Sequence, residues 1–548
     1  MKIDLEEITF DHDPESAETS ALNLRKNEQE PVTVPEWRNT PGEPEVSPVA
    51  YAINATDGKT ITIRARFSGS DLPSEALFVR AIPLTTTGPI SGRSLGSVAK
   101  TLVTFNAAGK TESVSFDLAD VKLKELGVGV SSIEWRWQYS TASCQTWVDF
   151  ANSAHRIYRV LDVPSCPWIQ QPFEPGNIHL PWTEVLDYAC VWAASAHTAD
   201  EAARLVTHGI YDLGLAKVLT YNIDGGSNYA DSRFDCTALL QRLRGEESRG
   251  SNVNCTDCAT IVSTFANALG CELSQSQLGS GFVLNPHLRI GRDNWETGEF
   301  VFHELAWKGC CTKDDEVFDA CLILDGDDAP DIAPPEIPLL ATNLLFGEFQ
   351  DRTYRFHLAP DNANQNCEPR PGTKTRRLLG HMWADGFAPL DEPLLTFLKR
   401  RYEFDSWRER GASALKVSVH NFQFHSDQLP GWQLLRQQRS EEDISPSWLE
   451  SFWHPAGGGT EVLLRVDVFE AVEEGEAPSL LLRMLGGFDK LAFIRRDNSI
   501  GDVTFANAGY TTILFTLGRL VCVIRNVGNR TFPVHNVAHT LKGELLAS

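Results

Sequence analysis

Residues 254–271 read NCTDCATIVSTFANALGC. Apolar side chains recur at Ile261, Val262, Phe265, Ala268 and Leu269, the i, i+1, i+4, i+7, i+8 spacing that gathers on one face of a helix. Gly270 follows where a left-handed cap ends such a segment. The spacing therefore predicts an amphipathic helix over 254–269 with a cysteine in its first turn. There, free backbone N–H groups and the positive end of the helix dipole favour a thiolate at Cys255. A thiolate is the nucleophile of cysteine hydrolases and acyl transferases. An isolated cysteine at a helix start is ordinarily a small buried residue and nothing more, so the residues downstream decide between these readings.

Forty-eight residues on lies FVFHELAWKG, 300–309, a period-2 stretch with His303 placed mid-strand. His303 shares its face with Val301, Leu305 and Trp307, an apolar setting that usually marks a satisfied core histidine. An approaching cysteine would instead give it the work of a general base. A polar turn, CCTKDDE, leads into a second strand that carries Asp319 and Asp325 on one face. A carboxylate on the partner strand of a hairpin can accept from the far imidazole nitrogen and so fix its tautomer. Asp319, flanked by Phe318 and Ala320, lies inside the apolar run, where an unpaired carboxylate is costly. Asp325 precedes Gly326 and an acidic loop, where solvation is the default. Asp319 is the preferred orienting group and Asp325 the alternative.

With these residues in place, 183–325 resembles a transglutaminase-like cysteine domain, related in its core to papain-like peptidases and arylamine N-acetyltransferases. Cys255, Asp257 and Ala259 match the family's G-x-C-x-D-x-A nucleophile motif, and Leu269-Gly270 closes the helix at the family's distance. LTYNIDGGSNY, 219–229, and LLQRLRGEES, 239–248, resemble the approach to that motif, and HELAW resembles the family's His-Ala-Trp strand. Two positions differ from the pattern: Val253 stands where the family has a small residue, and Trp307 lies four residues after His303 rather than two. The resemblance implies a Cys255–His303–Asp319 triad and a thioester intermediate, with no cofactor and no metal. Its expected substrate is a protein or peptide, with hydrolysis favoured over cross-linking by transamidation.

Competing readings use the same residues. Cys258 lies one helical turn from Cys255, but the spacing to Leu269-Gly270 fits Cys255. Cys255 and Cys258 with Cys310 and Cys311 would make a four-thiolate zinc set, yet adjacent cysteines ligate one ion poorly. DGDDAPD, 325–331, lacks the spaced ligands and terminal glutamate of a calcium loop. The non-enzymatic alternative is a multidomain partner-binding protein built on a degenerate scaffold of the same kind.

The chain of 548 residues divides by composition into an acidic arm (1–45), an antiparallel β-sandwich (46–165) and a Pro-rich linker (166–182). These precede the catalytic α+β domain (183–330), a loop or linker (331–380) and a C-terminal mixed α+β domain (381–548). The fold class expected is thus multidomain α+β. A net charge of −24 argues against nucleic-acid and anionic-membrane partners, both of which need a basic face. No run approaches 18 uncharged apolar residues, so membrane insertion is not expected. MKIDLEEITF lacks the apolar core of a secretory signal, and the 12 cysteines are scattered, which together point to the cytoplasm. The flanking β domains are candidate surfaces for a protein partner.

Overall fold

The computed structural model describes residues 1–12, 21–40, 43–73, 76–84, 94–141, 146–170, 178–230, 234–246, 248–330, 333–349, 352–360, 367–370, 392–407, 417–440, 446–457, 462–497 and 499–547. Strands outweigh helices, and the chain forms two compact units. One comprises Met1–Val206 with Thr264–Glu272, and the other Thr207–Ser263 with Leu273–Ser548.

The first unit is built on a ten-stranded hydrogen-bonded path. Alternation explains its long strands: in Thr62–Ser70 the side chains of Ile63, Ala65 and Phe67 are buried while those of Arg64 and Arg66 are exposed. Trp135 and Trp137 point inward from Gly129–Thr141 and are fully buried. The path curls so that its two halves face each other. Trp137 meets Phe67 and Phe116 edge-on, each at 5.7 Å, and Trp135 stacks on Phe10 at 6.3 Å. The indole N–H groups are satisfied, Trp137 by Ser153 Oγ at 2.9 Å and Trp135 by the Gly96 carbonyl at 3.0 Å. The last strand of the path in chain order, Val148–Val160, is among its longest.

Residues 2–10, read from composition as part of an arm, instead form the strand Lys2–Phe10, paired antiparallel with Thr62–Ser70. A bulge between Leu5 and Glu7 shifts the register. The buried residues are therefore Ile3 and Leu5, then Ile8 and Phe10. That phase change hides the period of two behind charged neighbours. In the Pro-rich stretch 166–182, residues 171–177 lie outside the described residues, and the rest carries no regular strand or helix before Thr183.

The second unit holds a six-stranded sheet, a seven-stranded sheet and a two-stranded parallel pair, Thr220–Tyr221 with Asn252–Val253. In the six-stranded sheet His303–Lys308 lies between Leu273–Leu278 and Glu316–Asp325. The expected single strand over 300–307 is two, Glu296–Phe300 and His303–Lys308, so His303 opens its strand rather than lying mid-strand. The stretch 331–380, read as loop, contains the strand Pro338–Leu345 and the short helix Tyr354–Leu358; residues 361–366 and 371–380 lie outside the described residues. The described residues 417–424 form no strand, and their aromatic side chains pack on the seven-stranded sheet. The core of that sheet includes Val466, Ile513, Phe515 and Ile524, covered in part by Leu541 of the terminal helix His535–Ala547.

Candidate active site

The helix Cys255–Ala268 begins at the cysteine, and its start is held by reciprocal side-chain bonds. The Asp257 N–H donates to Asn254 Oδ1 at 3.2 Å, while the Asn254 N–H donates to Asp257 Oδ2 at 3.1 Å, the pattern of a capping box. Asp257 also accepts the backbone N–H groups of Asn228, Tyr229 and Ala230 at 2.9, 2.8 and 2.7 Å, and the Ser227 hydroxyl at 2.6 Å. The aspartate two residues past the cysteine thus anchors the upstream loop to the helix start and fixes where Cys255 stands.

His303 and Asp319 face each other across the hairpin. Ala306 pairs with Phe318 and Trp307 with Val317; extending that register sets His303 and Asp319 on one face. The distance from His303 Nε2 to Asp319 Oδ2 is 3.0 Å. Asp319 is held in turn by the Tyr354 hydroxyl at 2.9 Å and the Cys321 N–H at 2.7 Å. Both side chains are buried, and His303 Nδ1 has no hydrogen-bond partner among the described residues.

Asp325 is not the solvated carboxylate expected from the loop that follows it. It is fully buried, accepts the Asp327 N–H at 2.9 Å, and has its Oδ2 without a partner among the described residues. Asp325 pairs with Pro338, so the strand Pro338–Leu345 runs alongside the end of its strand.

The contact at the Cys255 sulfur comes from a residue that the sequence did not point to. The thiol donates to Asp489 Oδ2 at 3.6 Å, and Tyr221 donates its hydroxyl to the same oxygen. Burial drives Cys255 upward from the ordinary thiol range, and the charges of Asp489 and Glu304 push the same way against a backbone hydrogen bond from Glu304. Asp489 in turn is near enough to His303 to feel its charge. Cys255 thus hydrogen-bonds one buried carboxyl group, Asp489, and His303 another, Asp319. Cys258 hydrogen-bonds Cys321 and also lies within reach of the Asp489 charge.

Tyr354 and Asp489 were both missed. Tyr354 lies in a stretch whose composition reads as loop, and Asp489 follows the helix Ala477–Gly486 with no motif around it. Tyr221, Gly225 and Gly226 lie within 219–229, a stretch singled out from the sequence, but no role was read there for any of the three. Among the described residues no group of three or more His, Cys, Asp or Glu is arranged to hold a metal ion, and no helix is long and apolar enough to cross a membrane.

No family model and no curated protein matches the chain. Among solved structures, red sea bream transglutaminase is similar over 87% of this chain and 77% of that chain, at 11% identity and a TM-score of 0.30, a likeness too low to carry an argument about activity.

Proposed function

We propose that this protein is a cysteine-dependent amide hydrolase or acyl transferase of transglutaminase-like kind, acting on a protein or peptide through Cys255, His303 and Asp319. The observation that carries the reading is the His303–Asp319 hydrogen bond of 3.0 Å with the opposite imidazole nitrogen left unpartnered. Asp319 keeps the proton on Nε2, so Nδ1 is the atom free to accept one. His303 Nδ1 takes the Cys255 thiol proton, the thiolate attacks the carbonyl carbon, and backbone N–H groups at the helix start stabilise the oxyanion. The imidazolium then protonates the departing amine, leaving a thioester on Cys255. Attack by water completes hydrolysis, and attack by a second amine completes transamidation. Hydrolysis, as by a peptidase, amidase or deamidase, is the preferred outcome.

One observation favours the alternative of a partner-binding protein on a degenerate scaffold: Cys255 is 0% exposed, so no substrate reaches it in this arrangement. An electrophilic amide-mimic probe separates the two. The enzyme reading predicts labelling of Cys255 that is abolished by Cys255→Ala and strongly slowed by His303→Ala. Labelling that persists on Cys258 in Cys255→Ala at the native rate removes Cys255 from the nucleophile's role.

A further inference from the structure

The proposed nucleophile donates its hydrogen bond to a carboxyl group from a segment far along the chain. We propose that Asp489 gates Cys255: as a carboxylate it keeps the sulfur a neutral thiol, and as a carboxylic acid it donates a hydrogen bond to the sulfur and permits the thiolate. This inference rests on the reading of Cys255 as the nucleophile.

The segment Phe488–Lys490 is seated for this contact. Phe488 bridges to Gly226 and Lys490 to Phe300. The Asp489 N–H donates to the Gly225 carbonyl at 3.0 Å, and the Asp489 carbonyl accepts the Val301 N–H at 2.6 Å. Lys490 Nζ donates to the Ile223 carbonyl at 3.1 Å. The receiving surface lacks side chains where any would collide. A Cβ at Gly225 would lie 1.8 Å from Asp489 Oδ1, and one at Gly226 would lie 2.6 Å from the Phe488 ring. Gly225 also has φ +78°, a conformation that side-chain-bearing residues rarely adopt. The Gly-Gly pair is thus shaped around the segment that delivers Asp489.

The carboxyl group itself is poised between two states. It is fully buried, its Oδ2 is shared by Tyr221 and Cys255, and its Oδ1 has no partner among the described residues. Burial disfavours the charge and pushes Asp489 up to about 6, against the Tyr221 hydrogen bond and the charges of Lys490, Arg289 and His303. Above that value a thiolate at Cys255 would set two negative charges 3.6 Å apart in a buried site. Below it, the neutral acid can donate to the sulfur. The thiol proton goes to His303 Nδ1, and the Asp489 proton stays on Asp489. The consequence is inverted from ordinary thiol chemistry, in which alkylation quickens as pH rises.

The test is the rate of Cys255 alkylation by iodoacetamide between pH 5 and 8 in the full chain, with the site mapped by peptide mass spectrometry. In the native protein the rate should fall about tenfold or more from pH 5.5 to 7.5, one decade for each unit of proton affinity at stake. Asp489→Asn should react about tenfold or more faster than native at pH 7.5 and lose the fall, and Asp489→Glu should keep it. Tyr221→Phe, which leaves the carboxyl in place but removes its donor, should move the fall to higher pH. If Asp489→Asn and Tyr221→Phe both label Cys255 with the native rate and slope, the gate is overturned while the nucleophile stands. If every variant labels Cys258 and leaves Cys255 untouched, the nucleophile reading fails and the gate with it.

Discussion

Replacing Asp319 by asparagine changes one atom's hydrogen-bonding sign at the centre of the proposed machinery. The Cys321 N–H donates to Oδ1 at 2.7 Å, so the amide oxygen of the variant is held on that side. The amide nitrogen then faces His303 Nε2 and the Tyr354 hydroxyl, where native Oδ2 accepts from both at 3.0 and 2.9 Å. A donor opposite Nε2 forces that nitrogen to become the acceptor and moves the imidazole proton to Nδ1. Nδ1 is the atom required to take the Cys255 proton, so the base is blocked with little change in shape. The loss expected for a wrong tautomer is about 10⁴-fold in acylation rate, about 5 kcal/mol of transition-state stabilisation. Stopped-flow release of p-nitrophenol from an activated ester reads acylation directly as a burst, and circular dichroism reports whether the fold is kept. Asp325→Asn serves as the control and should stay within about tenfold of native, a difference of about 1.4 kcal/mol or less. A folded Asp319→Asn that acylates at the native rate, with Asp325→Asn inactive, would make Asp325 and not Asp319 the orienting group.

Two stability predictions concern other parts of the molecule. Glu450 lies between Arg249 and Arg465 at 2.7 and 2.8 Å, all three side chains being buried, so Glu450→Gln should cost about 3–5 kcal/mol in urea unfolding; a loss under about 1 kcal/mol would contradict it. Burial opposes the Glu450 charge, but Arg249, Arg465 and Arg436 outweigh it and hold the group down to about 2. Its contribution is therefore complete above about pH 4.5 and lost as pH falls from there through about 2, and Glu450→Gln should flatten the acid unfolding curve in that window. Trp137→Ala, which empties the site packed by Phe67 and Phe116, should cost about 3–5 kcal/mol by the same assay, and an unchanged urea midpoint would contradict the packing described.

What the sequence disclosed follows the range of each signal. The Cys255–Ala268 helix is a local pattern, and its apolar spacing and glycine stop were legible to within a residue or two. The pairing of His303 with Asp319 was legible because a short turn joins their strands, so register alone brings them close. Asp325 was misjudged because its neighbours in the chain are acidic, while the strand that pairs beside it, Pro338–Leu345, lies beyond a loop. Lys2–Phe10 was missed because a bulge breaks the alternation that marks a strand. Asp489 was missed for the opposite reason to the helix: it meets Cys255 across a separation of 234 residues, and no local pattern encodes that contact. The same holds for Tyr354, whose role exists only through Asp319.

Acyl transfer by this protein requires that Cys255 form a covalent acyl intermediate. Brief incubation of the full chain with an activated ester, an acid quench and peptide mass spectrometry would capture it. One acyl group is expected on the peptide that contains Cys255, removed by neutral hydroxylamine as a thioester is, and missing from Cys255→Ala. An acyl group that survives hydroxylamine, or that lies on another residue in the native protein with Cys255 unmodified, would contradict it.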